Sequence, residues 1–148
     1  MTGEALAVLG LALCVGLCGA GSAIGLYFTG SAAAGVLAEE SKKFSKVLIL
    51  VVLPATQGIY GFVFAILGLN AVSSGMDPIV AGRIFGAAMP IAITGLISGI
   101  FQGKTAVGGI YAVAKNESLS GKLLLFPAMV ETYAILGLVV SILLLPTV

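Results

Sequence analysis

A single carboxylate stands in a long apolar run near the end of the chain. Glu131 is the only charge between Leu123 and Val148. It lies eight residues into that run, or about 12 Å at 1.5 Å per helical residue. An ionised acid at such depth in hydrocarbon costs at least ~2.5–3.5 kcal/mol, so such residues mark ion or substrate pathways. The plain alternative is structural, as a partner of Lys104 or as a permanently protonated acid. Oxygen-bearing neutral side chains recur at comparable depth: Thr56, Gln57 and Tyr60 in the second apolar segment, Gln102 in the third. Gln57 and Tyr60 are three apart and share a helix face. Singly, each has a simpler use: Thr56 can bond back to the Val52 carbonyl, and the glutamines can join helices. Together they set several neutral oxygens around one negative charge. That suits a monovalent cation, because the loaded site is neutral, whereas a divalent ion wants more carboxylates. Lys104, two positions from Gln102, points to nearly the opposite side of its helix, where it snorkels or lines an inner wall.

Composition says what surrounds these residues. Of 148 residues, 59% are apolar and 9% charged, against about 25% charged in a soluble domain. The chain reads as an integral membrane protein. Seven Lys and Arg against six Asp and Glu leave no basic excess for nucleic acid. Histidine is absent and the two cysteines, Cys14 and Cys18, sit one helical turn apart in an apolar run. They read as small packing residues rather than a metal or redox pair. The 21 glycines show no collagen period and fit membrane helices that approach closely. Gly19-Ala-Gly-Ser-Ala23 resembles a signal cleavage site, but Met1-Thr-Gly-Glu4 is acidic and the apolar run continues to Ala38. The first segment is therefore expected to be a retained helix.

Charges divide the chain into four spans: Ala5–Ala38, Val47–Met76, Ile79–Ala114 and Leu123–Val148. Each is long enough for one crossing, and the first and third exceed the need. A shift of 76 positions superposes the two halves without a gap: Gly10, Gly19, Ser22 and Thr29 fall on Gly86, Gly95, Ser98 and Thr105, and Lys46 and Thr56 on Lys122 and Thr132. The expected fold is all-α, two tandem transmembrane hairpins at 1–76 and 77–148, assembling into a ring. The position equivalent to Glu131 is Ala55, so only the second hairpin carries the acid. Lys42, Lys43, Lys46, Lys115 and Lys122 cluster at the two loops inside the hairpins, which the positive-inside rule places in the cytoplasm, with both termini opposite. Glycines at four-residue spacing, Gly21–Gly25 and Gly95–Gly99–Gly103, make flat stripes on helices one and three. Helices two and four are bulkier, and Pro54 and Pro127 are expected to bend them. Gly-lined helices suit an inner wall and bulkier ones an outer wall facing lipid.

Three stretches, Leu53-Pro-Ala-Thr-Gln-Gly-Ile-Tyr-Gly-Phe62, Ser98-Gly-Ile-Phe-Gln-Gly-Lys-Thr105 and Pro127-Ala-Met-Val-Glu-Thr-Tyr-Ala-Ile-Leu-Gly137, closely resemble the proteolipid rotor subunits of V-type ATPases. The likeness covers essentially the whole chain and is greatest to the bacterial sodium-translocating members. It implies a ring of identical subunits in the cell membrane, working with a stator membrane subunit and central-stalk subunits. It also implies that Glu131 carries Na+, with ligands from the Leu53 carbonyl, Thr56, Gln57, Gln102 and Glu131. Tyr60 matches the tyrosine that orients the glutamate.

A proton-carrying ring of the same family is the nearest alternative, and a four-helix multidrug exporter with one membrane glutamate a more distant one. Against the exporter, the acid lies in the last span, Trp is absent and the hairpin is duplicated. A purely structural pore would not need a lone acid with matched neutral oxygens. No Gly-x-x-x-x-Gly-Lys-Ser/Thr loop is present, so the chain is expected to be a non-catalytic, ion-carrying subunit that borrows torque from ATP-hydrolysing partners. The loops 39–46 and 115–122 are either docking points for the stalk or ordinary headgroup-facing turns.

Overall fold

The computed structural model describes residues 2–146. Its helices are α1 (Gly3–Glu39), α2 (Phe44–Val52), α3 (Thr56–Leu69), α4 (Pro78–Lys115) and α5 (Leu125–Leu144). Among the described residues, four stretches are long and apolar enough to cross a membrane: Gly3–Glu39, Ser41–Leu69, Pro78–Lys115 and Lys122–Leu144. At 37 residues, α1 is about 55 Å long, well beyond the ~30 Å hydrocarbon thickness.

Local chemistry sets the helix ends. Thr2 caps α1 by accepting from Ala5 N, and Asp77 caps α4 by accepting from Ile79 N at 2.7 Å, with Pro78 in the first turn, where its missing N–H costs nothing. Between the hairpins, Gly75 adopts φ 73° and donates its N–H to Glu4 Oε1 at 2.6 Å, pinning the turn to the start of α1. At the other end, Lys43 Nζ bonds the Ala114 carbonyl at 2.6 Å and pairs with Glu40 at 2.7 Å, tying the first loop to the end of α4.

The prolines act differently from one another. At Pro54 the second span changes to a 3-10 turn, Leu53–Ala55, in which Thr56 N bonds Leu53 O. Close by, the Thr29 hydroxyl donates to Val51 O at 2.8 Å, supplying from α1 a bond outside the interrupted ladder. Pro127 does not bend a helix. It falls in the first turn of α5, after a 3-10 turn at Lys122–Leu124, where no intrahelical N–H is needed. Pro90, which no sequence expectation covered, lies inside α4. There Ile91 N donates to Ser141 Oγ of α5 at 3.1 Å and the Thr94 hydroxyl donates to Pro90 O.

The broadest helix contact is α1 against α4, with α3 laid on α1 and α5 on α4. The two glycine stripes meet face to face. A Cβ on Gly99 would stand 2.7 Å from the Gly21 carbonyl carbon, and one on Gly21 would stand 2.6 Å from Leu96 O. Because the obstacles are backbone, no side-chain adjustment relieves them. On either side of this layer lie two apolar clusters. One gathers Cys14, Cys18, Phe64, Ile84 and Ile91; the other Val47, Leu50, Ile110 and Val113. Both cysteines are buried packing residues, and Cys18 Sγ approaches the Ile91 carbonyl at 3.3 Å. The outer faces of α3 and α5 expose large apolar side chains such as Ile59, Phe62, Leu136 and Leu143, as lipid contact demands.

Gly99→Ala is expected to destabilise the detergent-solubilised protein by ~1–3 kcal/mol, as forced overpacking does. Gly121→Ala serves as control, since Gly121 has φ −70° and ψ −37° and open space beside it. Thermal unfolding followed by circular dichroism checks this: the first midpoint falls and the second stays in place.

Candidate functional site

The Pro54 turn and the glycine seam bring three helices together midway along the bundle. Gly25 carries no side chain there because a Cβ would collide with the Pro54 ring at 2.6 Å as well as with the Gly99 carbonyl. This lets the start of α3 sit close to α4. Ser22 of α1 holds it in place by accepting from Gly58 N at 2.7 Å.

Within this layer the polar side chains form one continuous chain of hydrogen bonds. Tyr60 Oη donates to Glu131 Oε1 at 2.6 Å, and Gln102 Nε2 donates to Glu131 Oε2 at 3.1 Å. Each carboxylate oxygen therefore has its own donor, one from α3 and one from α4. Gln102 Nε2 also reaches Pro127 O at 3.2 Å, and Gln102 Oε1 accepts from Gln57 Nε2 at 2.7 Å. The Thr56 hydroxyl lies 3.1 Å from Leu53 O and 3.4 Å from Gln57 Oε1. Gln57 and Gln102 are both fully buried, while Glu131 is half-buried. Every candidate residue from the sequence, Leu53, Thr56, Gln57, Tyr60, Gln102 and Glu131, is thus in this one network.

Two details depart from the sequence expectations. Thr56 bonds back to Leu53 O rather than to Val52 O, because the 3-10 turn advances the nearest carbonyl by one residue. Gln102 turns nitrogen, not oxygen, toward Glu131. A carboxylate only accepts, so a neighbouring amide offers it the N–H end. Lys104 stands away from Glu131, as its position two residues from Gln102 leads one to expect, and among the described residues the salt bridge is Lys43–Glu40. Its ammonium stands over the rings of Phe28 and Phe101, 5.6 and 5.4 Å from their centroids. The contribution of Pro127 O was missed, although its repeat equivalent is Val51, whose carbonyl likewise accepts from an inner-helix side chain.

What the geometry offers is a charge held in place by neutral donors, with further oxygens of Leu53, Thr56 and Gln57 a residue or two away. Four membrane-length helices, paired as hairpins about one intramembrane carboxylate, define a membrane proteolipid of duplicated hairpins. The chain belongs to the family of the ATP synthase C subunit, whose sequence profile matches residues 9–68 and again residues 85–144, 76 positions apart. It is 48% identical over 142 residues to the V-type sodium ATPase subunit K of Enterococcus hirae, covering 96% of this chain and 91% of that one. It is 42% identical to the A-type ATP synthase subunit K of Methanocaldococcus jannaschii, over 95% of this chain and 61% of the relative. Identity to the 16 kDa proteolipid of the V-type proton ATPase of Bos taurus is 25%, over 93% of this chain and 89% of that one.

Gln57→Leu and Gln102→Leu each leave a buried amide group without its partner, which costs ~1–3 kcal/mol. The double variant is expected to lose less than the sum of the two singles, since each removes the other's orphan. Unfolding free energies from titration with a denaturing detergent test the coupling, and strict additivity would dissolve the Gln57–Gln102 link.

Proposed function

We propose that the chain is the ion-carrying subunit of a V-type ATPase rotor ring and that its cargo is Na+, carried at Glu131. The observation that carries the reading is the convergence of Tyr60 and Gln102 on that one carboxylate, with Gln57 bonded to Gln102 behind it. The sodium ATPase relative at 48% identity supports the choice of ion. Glu131 supplies the negative charge, and the Leu53 carbonyl, Thr56 hydroxyl and side-chain oxygens of Gln57 and Gln102 supply neutral ligands. Gln102 serves in this way after a half-turn of its terminal torsion, which exchanges N for O beside the carboxylate. Such sp³–sp² torsions are soft. Tyr60 keeps Oε1 fixed while Oε2 changes partner.

Electroneutrality is the working principle. With Na+ aboard, the site carries no net charge and can pass along lipid; without it, the carboxylate is tolerable only where a stator subunit offers water and a positive charge. Each charge moved against 100 mV requires about 2.3 kcal/mol, supplied by ATP hydrolysis in partner subunits through a central stalk. A proton on Glu131 would serve the same cycle, and proton-ATPase relatives exist at 25% identity. A proton needs none of the oxygens of Gln57, Gln102 and Thr56, which already engage one another and Leu53 by hydrogen bonding, whereas Na+ recruits them as ligands. The exporter reading has no support in the family.

Sodium is expected to protect Glu131 from a hydrophobic carbodiimide. Protection weakens as pH falls, because protonation removes the negative ligand and competes with the ion. Gln57→Ala and Gln102→Ala should weaken protection at least tenfold in sodium concentration, about the ~1.4 kcal/mol of one lost ligand, while Glu131→Gln still forms rings but transports nothing. Equal labelling with and without saturating sodium would instead favour the proton.

The two lysine-bearing loops are assigned to the cytoplasm. Cysteine placed at Ser41 or Ser118, with Cys14 and Cys18 replaced by alanine, should react with a membrane-impermeant maleimide in inverted vesicles and not in intact cells. The opposite pattern would reverse the orientation.

A further inference from the structure

We propose that the exposed Ile97–Phe101 face of α4 is the seat for α1 of a second copy, in the same register that α1 and α4 keep within one chain. The proposal rests on the ring reading and says how neighbouring copies meet. Its source is the gapless repeat of 76 positions. A ring of hairpins that are near-copies repeats one contact at every step, so the visible step from hairpin one to hairpin two is the template for the step to the next chain. Adding 76 to one side of each contact and subtracting 76 from the other gives the residues that meet across copies.

Inside the chain, Gly25 meets Gly99 and Gly103, and Gly21 meets Gly95 and Leu96. The template places Phe101 against Ala23 and Tyr27 of the next copy, and Ile97 against its Gly19 and Ala20. All six are at the surface or open to it: Phe101 is 54% exposed, Tyr27 69% and Ile97 49%, and a Cβ on Gly19 would meet nothing within 4 Å. In the glycine seam the same positions are closed.

Independent support comes from Ser98. The residue is only 3% exposed, yet its hydroxyl has no hydrogen-bond partner among the described residues, and it lines a groove of about 290 Å3 with Thr94, Ile97, Phe101, Val130 and Tyr133. The repeat equivalent, Ser22, lies at the covered seam and bonds Gly58 N. Five of the groove's six residues correspond to Cys18, Gly21, Ser22, Gly25 and Gln57, each of which contacts hairpin two or anchors α3 beside it. The groove is therefore the counterpart of a surface that a hairpin already covers elsewhere in the chain.

The two kinds of seam differ in substance. Bulky Phe101 and Tyr27 stand where the internal seam has Gly25 and Gly103, so the contact between copies is wider. Tyr133 and Leu136 stand where it has Gln57 and Tyr60, and Ala55 where it has Glu131, so it holds no acid. Lys104 is the counterpart of Phe28, its own ring partner. The register thus sets each Lys104 between the Phe28 of its own chain and that of the next, which covers an exposed ammonium within the span.

Cysteine pairs test the register in rings purified in mild detergent, with Cys14 and Cys18 replaced by alanine. Ala23→Cys with Phe101→Cys, and separately Tyr27→Cys with Phe101→Cys, should give a ladder of covalent oligomers on oxidation. Gly16→Cys with Phe101→Cys should give roughly tenfold less, since two helical turns, about 10 Å, exceed disulfide reach. An intact ring with no ladder from the first two pairs, or with the ladder at Gly16, overturns the register and leaves the ring reading standing. A protein that purifies as a monomer with its native residues overturns both.

Discussion

A carboxylate inside a bilayer has no water to solvate it, so its neighbours must do so, and they must do it without cancelling its charge. The Tyr60 hydroxyl and the Gln102 amide meet that demand from two different helices. Much of the remaining architecture can be traced to the closeness this requires. Side chains of tyrosine and glutamine length reach Glu131 only if α3, α4 and α5 converge at one height. Convergence in turn needs α1 to take up almost no room, and the backbone-on-backbone seam at Gly21, Gly25, Gly99 and Gly103 provides that. Apolar clusters lie above and below, so the polar layer around Glu131 is set between two bodies of hydrophobic packing.

Much of this was legible in the sequence, for definite reasons. Hydrocarbon punishes charge so heavily that the four spans separate themselves at Glu39–Lys46, at the turn before Asp77 and at Lys115–Lys122. Glycines at four-residue spacing serve few purposes in a membrane helix besides close contact, and the two stripes do face one another. The polar side chains could be grouped because neutral oxygens are rare enough in such a chain to be noticed one by one.

What escaped is information that a linear pattern does not carry. Which end of the Gln102 amide faces the acid depends on its other neighbour, Gln57. Pro54 and Pro127 look alike as residues, yet one interrupts a span and the other begins a helix, because the second follows a loop that has already broken the ladder. Pro90 raised no expectation at all. Its accommodation rests on Ser141, fifty residues away in the chain from Ile91, whose N–H it accepts. Lys104 was turned correctly away from the site, but its aromatic company came from Phe28 on another helix.

The glycine seam also fixes something about chain length. In an α-helix each residue turns the next by about 100°, so one extra residue between Gly21 and Gly25 would swing everything beyond it out of phase. Gly25 would leave the Pro54 ring, and Thr29 would leave the Val51 carbonyl. Substitution can adjust the outer faces freely, whereas insertion or deletion inside α1 or α4 would uncouple the seam from the site in a single step. The two copies of the hairpin have exchanged many residues for others while keeping their spacing at 76 positions from residue 9 to residue 144. Helical phase is the property such a duplicated chain has least freedom to lose.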